Sequence, residues 1–213
     1  MLPFIDPNPQ LVFDDVARDL AVQGYSIQPA ALPEALTTAL FSEVSQLSDD
    51  GFVRAGIGRG QARQVNRFNR TDQVCWIQGT SDPCSQWLAM TEQLRVTLNR
   101  QLFMGLFSYE SHYARYQPGD FFKRHVDAFV GERNRLVSTV FYLNPNWQPQ
   151  DGGQLLLYVQ GETIEVAPNF GTLVTFLSED VPHEVLPARR TRYSIAGWYR
   201  LNRSMNGAVD PPL

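Results

Sequence analysis

Residues 136–178 read LVSTVFYLNPNWQPQDGGQLLLYVQGETIEVAPNFGTLVTFLS. Runs rich in β-branched, aromatic and aliphatic side chains (LVSTVFYLN, QLLLYV, TIEVAP, TLVTFLS) alternate with the separators NPNWQPQDGG, QGE and PNFG. Gly, Pro, Asn and Asp end such runs because they supply the backbone angles and local hydrogen bonds of tight turns. HYARYQ and FFKRHVD upstream, and HEVLPA and RYSIAGWYR downstream, extend the pattern, set off by PGD and SEDVP. About eight short strands so spaced indicate a sandwich or barrel, and eight is the strand number of a jelly roll.

Before residue 105 the period changes. In PQLVFDDVARDLAVQGY, Phe13, Val16, Ala17 and Leu20 recur at helical spacing and Gly24 follows as a stop. YSIQ predicts a short strand. LPEALTTALFSEVSQL carries Leu36, Leu40, Val44 and Leu47 on one stripe after Pro33. SDPCSQWLAMTEQLRVTLNRQLF offers Ser81 or Asp82 as N-cap and Trp87, Thr91, Leu94, Leu98 and Leu102 as its buried face. The predicted class is α+β: a double-stranded β-helix (jelly roll, about eight core strands) with supporting N-terminal helices packed on one sheet. One domain is expected over 1–213, with helical support over 1–105, the core over 106–203 and a tail over 204–213.

An apolar share of 43% against 19% charged residues describes a globular chain. The net charge of −4 argues against a general nucleic-acid binder. Two cysteines, Cys75 and Cys84, and an opening MLPFIDPNPQ without a charged n-region fit a reducing cytoplasmic setting, with free thiols. No run approaches the roughly 18 apolar residues of a membrane span.

Between the second and third helices, VRAGIGRGQARQVNRFNRTD holds Arg54, Arg59, Arg63, Arg67 and Arg70 and no acid before Asp72. It reads either as a solvated surface loop or as a mobile lid, over about residues 50–75, that grips an acidic partner. GIGRG matches neither phosphate-binding glycine pattern.

The chain has three histidines. His125 and Asp127 stand two apart, the spacing that puts both side chains on one face of a strand. His183 in SEDVPHEV opens a later predicted strand, and two imidazoles with one carboxylate make the facial triad of non-haem Fe(II) oxygenases. H-x-D alone is a weak signal. Arg192, nine residues after His183 on the next predicted strand, strengthens it. A cation inside a barrel is costly unless a carboxylate pairs with it, and a dicarboxylic cosubstrate bound to iron would bring one. His112 has no partner at ligand spacing and reads as structural.

These residues resemble the 2-oxoglutarate/Fe(II)-dependent dioxygenases. YQPGDFFKRHVD, VFYLNPNW, DGGQLLLY, PHEVLPARRTRYSIAGWY and NRTDQVCWIQG together are most similar to the hypoxia-sensing type of prolyl 4-hydroxylase, over roughly residues 50–200. The resemblance implies that His125, Asp127 and His183 hold Fe(II). Arg192 would bind the far carboxylate of 2-oxoglutarate with the Tyr142 hydroxyl as second donor, and Tyr116, Leu155, Val185 and Trp198 would line that pocket. Asp72 and Arg135 would pair to tie the substrate loop to the barrel, with Arg70 and Trp76 beside them. O2 and ascorbate would complete the cofactor set, and succinate and CO2 would leave. Bacterial members of this branch point to elongation factor Tu as the protein substrate, and a monomer is expected, without membrane or nucleic-acid partners. The alternatives are an oxygenase of a small molecule or another protein, a base demethylase, and a jelly-roll metal module without turnover.

Overall fold

Helix α1 (Pro9–Gln23) begins where the Asn8 side chain accepts from the Gln10 amide and ends at Gly24, whose φ of 79° suits a residue without Cβ. Its buried face is Phe13, Val16, Ala17 and Leu20, as the period predicts. Helix α2 (Glu34–Gln46) buries Leu36, Thr37, Leu40 and Val44. Helix α3 (Asp82–Leu102) is capped by the Ser81 hydroxyl, which accepts from the Cys84 amide. Leu47 and Leu102, expected in those faces, are only half-buried because they stand where their helices end. The computed structural model describes residues 8–55, 68–128 and 135–202, and the backbone of 204–205 and 208–209.

The eight predicted core strands are β4 (Leu106–Tyr116), β5 (Phe122–His125), β6 (Arg135–Tyr142), β7 (Leu155–Val159), β8 (Glu162–Val166), β9 (Leu173–Leu177), β10 (His183–Val185) and β11 (Arg192–Leu201). They divide between two antiparallel sheets. The larger has the order β1-β9-β6-β11-β4-β3-β2, where β1 (Tyr25–Gln28) is the predicted YSIQ strand. The short β2 (Val53–Arg54) and β3 (Gln73–Trp76) extend the other edge. The smaller has the order β5-β10-β7-β8.

Alternation along the large sheet makes two cores. Its outer face (Tyr113, Val137, Phe141, Leu173, Ile195, Tyr199) buries the helical stripes, including Phe13, Leu40, Trp87 and Leu98. Its inner face (Ala114, Tyr116, Tyr142, Val174, Phe176) packs on Leu155, Leu157, Val166 and Val185 of the small sheet. The helices stiffen one sheet from behind, and the functional residues lie between the sheets. None of the described helices is long and apolar enough to cross a membrane.

Candidate active site

β10 pairs with β5 in a register that sets His183 opposite His125, with ring centroids 4.2 Å apart. Each imidazole hydrogen-bonds through Nδ1 to a backbone carbonyl two residues earlier, His125 to Lys123 at 2.8 Å and His183 to Val181 at 3.1 Å. A carbonyl can only accept, so each Nδ1 carries the proton and each Nε2 is left with its lone pair. Those Nε2 atoms lie 3.5 and 3.7 Å from the two carboxylate oxygens of Asp127. The three ligand atoms all fall within 4.8 Å of one another.

Asp127 does not share the strand, as its spacing from His125 suggested: β5 ends at His125 and Asp127 sits in the bend that follows. It is held by the other sheet instead. Its amide donates to the Ser178 carbonyl at 3.2 Å, and the Ser138 hydroxyl donates to its Oδ2 at 2.7 Å. Ser178 stands 2.8 Å from Ser138 and donates to it in turn, since the Ser138 proton is engaged by the carboxylate.

Burial works against a charge on Asp127, but the imidazoles, when protonated, and the Ser138 hydroxyl outweigh it and hold the carboxyl below its ordinary value. Burial pushes His183 down against the pull of Asp127. An ionised carboxylate and a neutral imidazole are the forms that bind metal. The donors fit Fe(II): two imidazole nitrogens and one carboxylate, with no further His, Cys, Asp or Glu joining the group among the described residues. Fewer protein donors than iron has positions is what an ion needs if it must also hold cosubstrate and O2.

Arg192 is 1% exposed and no carboxylate pairs with it among the described residues. Its Nε donates to the Gly153 carbonyl at 3.0 Å and its Nη1 to the Ser194 hydroxyl at 3.3 Å, while Nη2 has no partner. The buried Tyr142 hydroxyl also lacks one, and the guanidinium lies 5.0 Å from its ring. Burial pushes the Tyr142 phenol up, so it remains a donor. Two unmet donors, one of them cationic, fit a carboxylate. Tyr116, Tyr142, Leu155 and Val185 form one apolar cluster beside them. Gly153 permits the approach: a Cβ there would stand 3.1 Å from Arg192 Cδ and 2.9 Å from the Ala188 methyl.

Trp198 departs from the expected pocket. It shares the inner face of β11 with Arg192, but six residues along a strand is roughly 20 Å. Its ring packs 5.3 Å from His112 and under the Arg135 guanidinium at 3.8 Å. The expected Asp72–Arg135 pair is not formed. Asp72 is clasped by Arg70 through two hydrogen bonds of 2.7 and 2.6 Å, because residues two apart in extended chain project to one side. Arg135 opens β6 and finds Glu110 of β4 at 2.7 and 3.1 Å across the intervening β11. Trp76 is half exposed, edge-on to His112 at 5.1 Å. Arg59, Arg63 and Arg67 of the loop, and Phe129 two residues after Asp127, lie outside the described residues.

The sequence reading missed Ser138, Ser178, Glu110 and the role of Phe122. Phe122 stacks on His125 at 3.5 Å with an interplanar angle of 16°, and Arg70 lies over its other face at 4.2 Å. Strict alternation would put Phe122 and His125, three apart, on opposite faces of β5; the register shift where β5 meets β10 breaks that alternation, and nothing local in the sequence signalled it.

Residues 111–200 match the 2OG-Fe(II) oxygenase superfamily. Human prolyl hydroxylase EGLN3 is 31% identical over 179 residues, spanning 79% of this chain and 74% of that protein. The chain belongs to the 2OG-Fe(II) oxygenase superfamily. Among solved structures, this oxygenase is similar to a Pseudomonas putida prolyl-4-hydroxylase, at 42% identity and a TM-score of 0.83 over 90% of this chain and 100% of that one. It is also similar to a prolyl hydroxylase from Trichoplax adhaerens, solved in complex with a hypoxia inducible factor oxygen degradation domain peptide fragment. That likeness has 30% identity and a TM-score of 0.80, over 91% and 90% of the two chains. The oxygenase uses Fe(II), 2-oxoglutarate and O2, and His125, Asp127 and His183 form a cluster whose donors fit an iron ion.

Proposed function

We propose that this oxygenase is a prolyl 4-hydroxylase acting on a proline in a protein loop, with elongation factor Tu as the candidate target. The observation that carries the reading is the extent of the likeness to prolyl hydroxylases. It covers 90% of the chain and so reaches well beyond the eight-strand core into the N-terminal half. Elongation factor Tu rests on the resemblance of the sequence to the bacterial branch.

The residues divide the work. His125, Asp127 and His183 would hold the iron, with both tautomers set by carbonyls and the carboxylate set by Ser138. Arg192 and Tyr142 would bind the far carboxylate of 2-oxoglutarate, and Tyr116, Leu155 and Val185 would keep water from its chain. Bound iron with 2-oxoglutarate and O2 supplies the oxidising power, with succinate and CO2 as co-products and one oxygen atom delivered to the substrate carbon. Trp76 would face the protein substrate from the β3 side, with Arg70 fixed beside it by the buried Asp72, and Arg135 and Trp198 would complete that side. Ascorbate would serve as the reductant that keeps the iron ferrous.

The test is to incubate the enzyme with Fe(II), 2-oxoglutarate, ascorbate and purified elongation factor Tu, and to map added oxygen by peptide mass spectrometry. Hydroxyproline at one site, with matching succinate, is expected. Succinate coupled to some other protein and none with elongation factor Tu would reject the target alone. Absence of proline-dependent succinate with any protein would reject the prolyl reading.

A further inference from the structure

His112 is the one histidine that the metal cluster does not use. It lies on β4, opposite Ala196 on one side and Trp76 on the other. Alternation gives it the inner face that also carries Ala114 and Tyr116, between the sheets. It is 4% exposed. Trp76 stands edge-on to it at 5.1 Å and Trp198 lies at 5.3 Å.

Neither ring nitrogen makes a hydrogen bond to a described residue, and Nδ1 is fully buried without a partner. Buried polar atoms left in this state are uncommon, and no described side chain bonds Nε2, the ring nitrogen that is not among the buried unpaired atoms. The immediate neighbours cannot supply one: two indole rings pack on the imidazole and the cross-strand residue Ala196 has only a methyl. Burial, followed by Arg70 and Arg135, pushes the imidazole down to about 3. It is therefore neutral at working pH, and a neutral imidazole always offers one N–H donor.

The cosubstrate already has its partners. Arg192 stands opposite Tyr116, four residues and roughly 13 Å along β4 from His112. His112 shares its rung instead with Trp76, which is 46% exposed, on the side of the cleft bordered by Arg70 and Asp72. On the prolyl hydroxylase reading, the occupant of that side would be the protein substrate. A proline has no N–H, so the main chain around it offers carbonyl acceptors and needs donors from the enzyme.

We propose that His112 is a substrate-positioning residue, whose imidazole N–H donates to a main-chain carbonyl at or beside the target proline and seats the proline ring between Trp76 and Trp198. The inference rests on the prolyl hydroxylase reading above.

The test compares wild type, His112→Phe, His112→Leu, His112→Asn and His112→Gln in steady state with a prolyl protein substrate. Loss of a hydrogen bond to a buried donor predicts a KM for that substrate raised by about tenfold in His112→Phe. The KM for 2-oxoglutarate, the substrate-free 2-oxoglutarate turnover and the Mn(II) affinity should stay within about twofold of wild type. One amide variant, Asn if Nδ1 is the donor or Gln if Nε2 is, should recover most of the loss. If His112→Phe melts early, His112→Leu decides in its place. An unchanged substrate KM, an equal rise in the KM for 2-oxoglutarate, or amide variants that fold normally but perform no better than Phe would overturn the inference. A wild-type enzyme that hydroxylates no prolyl substrate would overturn the underlying reading, and is told apart because it shows before any variant is made.

Discussion

Arg192 and Tyr142 lie buried together on the paired strands β11 and β6, the guanidinium 5.0 Å from the phenol ring, and each ends in a donor without a partner, Nη2 and Oη. An unpaired buried cation destabilises the empty fold and favours a carboxylate ligand, so affinity and stability should move in opposite directions. Arg192→Met is expected to weaken 2-oxoglutarate by about 100-fold or more while leaving the ligand-free melting temperature equal or higher. Tyr142→Phe should cost about tenfold. Thermal melts with and without 2-oxoglutarate check both, since the ligand should raise the melting temperature of wild type and not that of Arg192→Met.

Ser138 restrains Asp127 from the opposite sheet at 2.7 Å. Removing a partner of this kind from a metal ligand typically lowers affinity by about 10-fold or more. Ser138→Ala should do so for Mn(II) or Co(II) in a direct titration. Ser178→Ala, one bond further out, should have the smaller effect.

The Arg70–Asp72 pair is nearly buried, with Asp72 at 1% exposure. Removing one partner strands the other, so Asp72→Ala should cost about 3 kcal/mol, and removing both by Arg70→Met with Asp72→Leu should cost much less. Urea denaturation of the two singles and the double gives the coupling. A charge exchange between Asp72 and Arg135 should rescue nothing, because Arg135 belongs to Glu110.

His112 titrates lower in the folded protein, near 3, than the 6.5 of a free imidazole. Between those values the unfolded chain binds the extra proton, so the stability present above about 6.5 is lost as pH falls towards about 3. His183 shifts in the same direction. Unfolding free energies at pH 7 and pH 5 should therefore differ more for wild type than for His112→Leu. Equal pH slopes would show that His112 is not the group responsible.

Much of the frame was legible along the chain because it depends on local period. The stripe Phe13, Val16, Ala17, Leu20 and the eight turn-bounded runs from β4 to β11 are properties of neighbouring residues, and they are found where expected. The strands β2 and β3 were not legible: VR and QVCW are too short to show a period, and they become strands by pairing, β3 with β4 and β2 with β3. The Asp72–Arg135 expectation failed for a related reason. Opposite charges in a sequence name possible partners, but Arg70 and Glu110 were closer in space.

By itself the sequence supplied the candidate ligands, their order and an arginine suited to a carboxylate, because these are matters of chemical identity: His125, Asp127, His183 and Arg192 are what they are in any fold. Only the tertiary structure decided how they act together. The β5–β10 register brings the two imidazoles side by side, Ser138 of the other sheet holds the carboxylate, and Gly153 makes room for Arg192. It also put Trp198 beside His112 instead of beside Arg192, and left His112 buried without a bond. Each of these depends on residues far apart in the chain meeting across two sheets, and no local pattern encodes the distance between them.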